Sequence, residues 1–68
     1  MVTIYFYDGY NGRGDLQTAI GYASEMIKKH YAKSGFIYEC FAFLYDTVKQ
    51  KRYILWLDDD LCVQLKKL

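Results

Sequence analysis

The sequence predicts an α+β domain of two layers, one helix packed on a four-stranded mixed or antiparallel sheet in the order β-α-β-β-β. Three features carry that expectation. Four runs rich in β-branched and aromatic residues are separated by turn-forming residues. One segment of about 19 residues repeats its apolar positions at spacings of three and four. Sixty-eight residues, 53% hydrophobic and 19% aromatic with no proline, suffice for one core, read here as a single domain over residues 1–68.

Val2–Tyr7 alternates, with Val2, Ile4 and Phe6 on one side and Thr3, Tyr5 and Tyr7 on the other, as a strand requires. Asp8-Gly9 breaks it, and Gly9–Gly14 reads as a loop. Asp15 is placed to cap a helix over about residues 15–33, because its carboxylate can accept from orphan amides one turn on. Leu16, Ala19, Ile20, Ala23, Ile27 and Tyr31 form the apolar stripe of that helix. Lys28, Lys29, His30 and Lys33 gather near its end, where cations favour the macrodipole, and Gly35 is a left-handed cap. Gly21 lies inside the helix and is expected to permit close approach to the sheet. Phe36–Asp46 reads as a long second strand and Val48–Lys51 as a turn. Arg52–Asp58 follows as the third strand, Asp59-Asp60 as a turn, and Leu61–Lys66 as the fourth strand. A helix carrying the chain back along the sheet makes the strand after it parallel to the first.

One helix covers one face of a sheet. Val2, Ile4, Phe6, Leu61, Val63 and Leu65 are the expected occupants of the covered face. The opposite face should then be polar, and the sequence does not make it so. The second strand is apolar on both sides, with Tyr38, Cys40, Ala42 and Leu44 against Ile37, Phe41, Phe43 and Tyr45. The third sets Ile54 and Trp56 against Tyr53, Leu55 and Leu57. Exposed aromatic area of that kind marks an interface, since Tyr and Trp bury much area with few rotors. Tyr5, Tyr7, Tyr10, Arg13, Tyr45, Tyr53 and Trp56 are the expected partner-binding residues, Tyr10 and Arg13 through the exposed glycine segment.

Chemistry-bearing motifs are few. The glycines run G-x-x-G-x-G (Gly9, Gly12, Gly14), unlike the dinucleotide fingerprint, and no Gly-Lys-Ser/Thr follows. Gly9–Gly12 also fits a G-x-x-G pattern, but it follows a strand where KH domains place it between helices. Asp58-Asp59-Asp60 lacks the alternating oxygen ligands and closing glutamate of a calcium loop and reads as an acidic turn. Cys40 and Cys62 stand at strand positions and read as small packed apolar groups, with neither zinc spacing nor a disulfide framework. No metal or cofactor is implied. His30 is the sole histidine and so the one candidate base of its kind, without a Ser or Cys nucleophile beside it in sequence.

Nine Lys+Arg against eight Asp+Glu give a net charge of +1, far from the footprint of a nonspecific nucleic-acid binder. No apolar run approaches the roughly 20 residues that span a bilayer. The opening residues lack the basic region and cleavage site of a signal peptide, so the expected location is the cytoplasm, with reduced thiols. The expected function is therefore that of a small non-enzymatic protein-binding protein acting by surface occupancy, an inhibitor or regulator, and a homodimer through its aromatic sheet face. Inhibitors carried by phages and mobile elements, including those aimed at host defence proteins, share its size and lack of catalytic motifs; that is analogy alone. The first alternative is single-stranded nucleic-acid binding through the aromatic face and Lys49, Lys51 and Arg52. Aromatics on an open sheet stack bases in RNA-recognition-motif domains, although the order here is one helix short and their signature is missing. The second alternative is a small toxin-like nuclease using His30.

Overall fold

Alternation in the first residues does produce a strand, β1 (Val2–Phe6), which buries Val2 and Ile4 and turns Tyr5 outward. The computed structural model describes residues 1–6 and 9–68. The expected continuation at Tyr7 and the break at Asp8 lie outside the described residues.

The glycine segment is a strand and not a loop. β2 (Gly9–Arg13) pairs antiparallel with β1, placing Tyr10 opposite Tyr5 and Arg13 opposite Val2. Its sequence hides this, because Gly and Asn have poor strand propensity and only Arg13 is even partly buried. The backbone ladder to β1 is what makes it a strand. The sheet accordingly has five strands, not four, and β2 precedes the helix.

That extra strand also reverses the expected parallel pairing. β2 returns the chain to the end of the sheet where β1 began. The helix, α1 (Leu16–Ser34), therefore starts from that end and travels the length of the sheet. The strand after it comes back antiparallel to β1, with Ile4 opposite Leu44. Every neighbouring pair is antiparallel, and the sheet order is β2-β1-β3-β4-β5, where β3 is Phe41–Asp46, β4 Lys51–Leu57 and β5 Val63–Lys67.

The helix ends form as its sequence requires. The Thr18 N–H donates to the Asp15 carboxylate at 2.8 Å, and these bonds hold that carboxyl below its usual range. At the other end Gly35 adopts φ 75° and its N–H donates to the Tyr31 carbonyl at 2.8 Å. Ala19, Ala23 and Ile27 are the buried members of the stripe. The two alanines, rather than Gly21, let the backbone approach the sheet. Gly21 is exposed, and a Cβ there would meet nothing within 4 Å.

Phe36–Asp46 is not one strand. Ile37–Glu39 forms a short 3-10 turn that brings the chain from the helix end to the sheet, and β3 begins at Phe41. Residues 47–50 turn between β3 and β4, where the Asp46 carboxylate accepts from the Val48 and Lys49 N–H groups at 3.1 Å each. Asp58 does the same work before β5. Its carboxylate accepts from the Asp60 and Cys62 N–H groups at 2.9 Å each and from the Gln64 amide at 2.7 Å. The Cys62 bond, with that of Gln64, holds the Asp58 carboxyl below its usual range. Leu61 takes a left-handed φ of 62° inside this turn, so it is exposed and does not join the covered face as expected. Cys62 is exposed as well and is not packed. Cys40 is buried just before β3, and burial pushes its thiol up.

The core lies between α1 and one face of the sheet. Val2, Ile4, Ala42, Leu44, Leu55 and Leu57 meet Ala19, Ala23 and Ile27 there, with Cys40 at its margin. Among the described residues no helix is long and apolar enough to cross a membrane.

Candidate binding face of the sheet

Strand alternation sorts every residue of the sheet onto the covered side or the open one. Residues directly opposite across a pair share a side, so the register fixes the open face from end to end. Tyr10 stands opposite Tyr5, Tyr5 opposite Phe43, and Phe43 opposite Ile54. Phe41 faces Trp56 and Tyr45 faces Arg52, and Gln64 and Lys66 close the far edge against Trp56 and Ile54. A belt of aromatic side chains thus crosses the open face on β2, β1, β3 and β4. No helix lies over it.

Exposure grades across that belt. Tyr10 is 73% exposed, Tyr5 45% and Phe43 40%, while Phe41, Tyr45, Ile54 and Trp56 are half-buried among their neighbours. The rings lean on one another. Tyr5 and Tyr10 are tilted at 38° with centroids 6.0 Å apart, and Phe41 and Phe43 meet edge-on at 5.7 Å. The Arg52 guanidinium lies 6.0 Å from the centre of the Tyr45 ring. Tyr5, Phe43, Tyr45, Arg52 and Leu68 line a shallow depression at the end of the face near the β3–β4 turn.

Charge on this face has one sign. Within the strands its charged side chains are Arg52 and Lys66, and no described acidic residue stands beside them. Lys49, Lys51 and Lys67 gather at the same end, around the β3–β4 turn and the end of β5. Asp58, Asp59 and Asp60 lie at the opposite end of β4 and β5.

Four of the expected partner-binding residues, Tyr5, Tyr10, Tyr45 and Trp56, come together on this face. Two do not. Arg13 shares the covered side with Val2, and its guanidinium sits 3.7 Å from the centre of the Tyr22 ring of α1. Tyr53 is opposite Leu44 and packs against the core. Tyr7 lies outside the described residues. Phe43 is the member the expected set omitted, and it occupies the middle of the belt. The signal was present in the alternation Phe41-Phe43-Tyr45, but nothing in the sequence says which side of that strand the helix takes.

His30 stands elsewhere, on the last turns of α1. Its Nε2 lies 3.6 Å from a carboxylate oxygen of Glu39 in the 3-10 turn. In comparison with known proteins, no family model matches this chain, and neither a curated protein nor a solved structure matches it significantly.

Proposed function

We propose that this chain is a non-enzymatic protein-binding protein of the cytoplasm, an inhibitor or regulator that works by occupying a partner's surface with the open face of its sheet. The observation that carries this reading is the uncovered aromatic belt. Tyr5, Phe43 and Tyr10 are well exposed and contiguous across three neighbouring strands. A fold with one helix leaves such area in water at a cost in solubility, which a partner removes. Aromatic anchors beside an arginine are also the residues enriched at interface hot spots. Tyr5 and Tyr10 are tilted and Phe41 and Phe43 meet edge-on, so the rings offer a continuous apolar surface more than parallel plates for bases.

The test is capture from a host lysate treated with nuclease, comparing the wild-type chain with Tyr5→Ala/Phe43→Ala. The reading expects a protein that survives nuclease and is lost with the double substitution, while the circular dichroism of the variant stays native. Capture that ignores the double substitution overturns it.

The basic charge of the face favours a second reading, single-stranded nucleic acid, with Arg52, Lys66 and the neighbouring Lys49 on phosphates; Lys51, expected with them, stands opposite Asp46 on the covered side. A titration with a fluorescent oligothymidine addresses it. Affinity should fall steeply with salt, and the three charge removals should flatten that slope.

A further inference from the structure

β5 is an edge strand, and its free edge can be read from the bonds it makes on the other side. The Leu68 N–H donates to the Arg52 carbonyl and the Asp58 N–H to the Cys62 carbonyl, both at 2.9 Å. Those pairs bracket the β4–β5 register, in which Gln64 faces Trp56 and Lys66 faces Ile54. Antiparallel bonding alternates, so the even-numbered residues of β5 bond inward. The N–H and C=O groups of Val63, Leu65 and Lys67 therefore point away from the sheet.

The same strand has an uncovered leucine at its centre. Leu65 is opposite Leu55, which is fully buried, and so it lies on the helix side. α1 packs mainly against β1, β3 and β4, and Leu65 is left 46% exposed. The strand is also electrically polar along its length. Asp58-Asp59-Asp60 precedes it and Lys66-Lys67 closes it.

We propose that the outer edge of β5 joins two copies of this chain, antiparallel about a two-fold axis through Leu65, into one continuous sheet. In that register Leu65 faces its own copy and Val63 faces Lys67 of the other chain. All the outward-pointing groups then pair, each facing pair exchanging both of its backbone bonds. The two leucines cover each other on the side the helix leaves bare. Lys66 faces Gln64 rather than another lysine, and each lysine pair approaches the acidic turn of the other chain. A parallel alignment would set like charges together, and an edge partner of another kind would have no reason to carry this matching pattern. The axis stands across the sheet, so both helices lie on one side and both aromatic belts on the other. The dimer therefore leaves the face assigned above free and doubles it, and it stands whether or not that assignment does.

The experiment is sedimentation velocity over a concentration series, with two charge-reversed chains. The wild-type mass should rise with concentration from 8.1 kDa toward twice that value. Raising the ionic strength from about 0.05 to about 0.5 M cuts the Debye length from about 14 to about 4 Å and should weaken the dimer roughly tenfold. Lys66→Glu/Lys67→Glu and Asp59→Lys/Asp60→Lys should each be monomeric alone, since each puts one sign at both ends of β5. Mixed together, the two should form a heterodimer. Asp58 is left intact because it holds the turn. Amide exchange in the wild-type chain gives a readout independent of any variant, with Leu65 and Lys67 protected only as concentration rises. A chain that stays monomeric throughout, with those amides always unprotected, overturns the proposal and leaves Lys66 and Lys67 as guards against edge pairing. A dimer lost with Tyr5→Ala/Phe43→Ala and indifferent to the charge reversals overturns it too, and places the contact on the aromatic face.

Discussion

Leu44 and Phe43 are neighbours on β3, yet one is sealed beneath the helix and the other stands 40% exposed on the opposite face. The fully buried centre of the covered side is aliphatic and small, with Ala42 and Leu44 under Ala19, Ala23 and Ile27, and rings such as Phe6, Tyr22 and Tyr53 stand only at its margin. The open side is also largely apolar across its middle strands, but it is built from rings. Aliphatic side chains stabilise only when water is excluded, whereas Tyr and Trp tolerate a wet edge and release it to a partner. Apolar content alone therefore does not distinguish a core from a contact surface in a chain this small. The shape of the side chains and the presence of a second layer do.

The sharpest way to break that distinction is to truncate the two neighbours separately. Leu44→Ala should cost about 2–5 kcal/mol, because the site is fully buried and its neighbours cannot all collapse into the void. A domain below about 70–80 residues holds roughly 3–5 kcal/mol in total, so this variant should be largely unfolded at room temperature. Phe43→Ala should cost about 1 kcal/mol, the scale of lost cross-strand contacts with Tyr5 and Ile54. Urea denaturation of both variants reads the difference. Equal losses would make the aromatic belt a second core and remove the basis for a docking face.

The same contrast explains how far the sequence could be read. The helix was legible to its caps, because Asp15, the apolar stripe and Gly35 each act locally. The strands with β-branched or aromatic alternation were legible for the same reason. β2 was not, because a glycine-rich edge strand is held by its backbone ladder to β1, and no side-chain pattern records that. Missing it also reversed the expected direction between β1 and β3. The aromatic surplus of the site was visible in composition. Its assignment to one face was not, since Tyr45 and Tyr53 differ only in register, and register is settled by where the helix lands.

A smaller effect should separate the part of the sheet under the helix from the part beyond it. β5 has little core of its own and hangs on the turn that Asp58 caps. The folded state holds the Asp58 carboxyl below its usual range, so the turn is stabilised above the unfolded value and loses that support as pH falls through the folded one. Lowering the pH from about 5 to about 2 should release β5 amides to exchange before those of β1 and β3. Asp58→Asn should remove the acid step in β5 without moving the others. Simultaneous loss of all strands would show that the sheet is one cooperative unit despite the margin of the helix.

The smallest expected effect concerns a residue on neither face. Gly21 points to solvent inside α1, at a helical position where an added Cβ meets nothing within 4 Å. Replacing it with alanine restricts the unfolded chain and improves helix propensity by about 1 kcal/mol, which raises Tm by roughly 4–8 °C in a domain of this size. Both sheet faces should be untouched, so capture through the aromatic belt and assembly through β5 should each proceed as in the wild-type chain. If Gly21→Ala stabilises the isolated chain but abolishes capture, the outer face of the helix is what the partner touches. The contact surface would then lie on α1 and not on either side of the sheet.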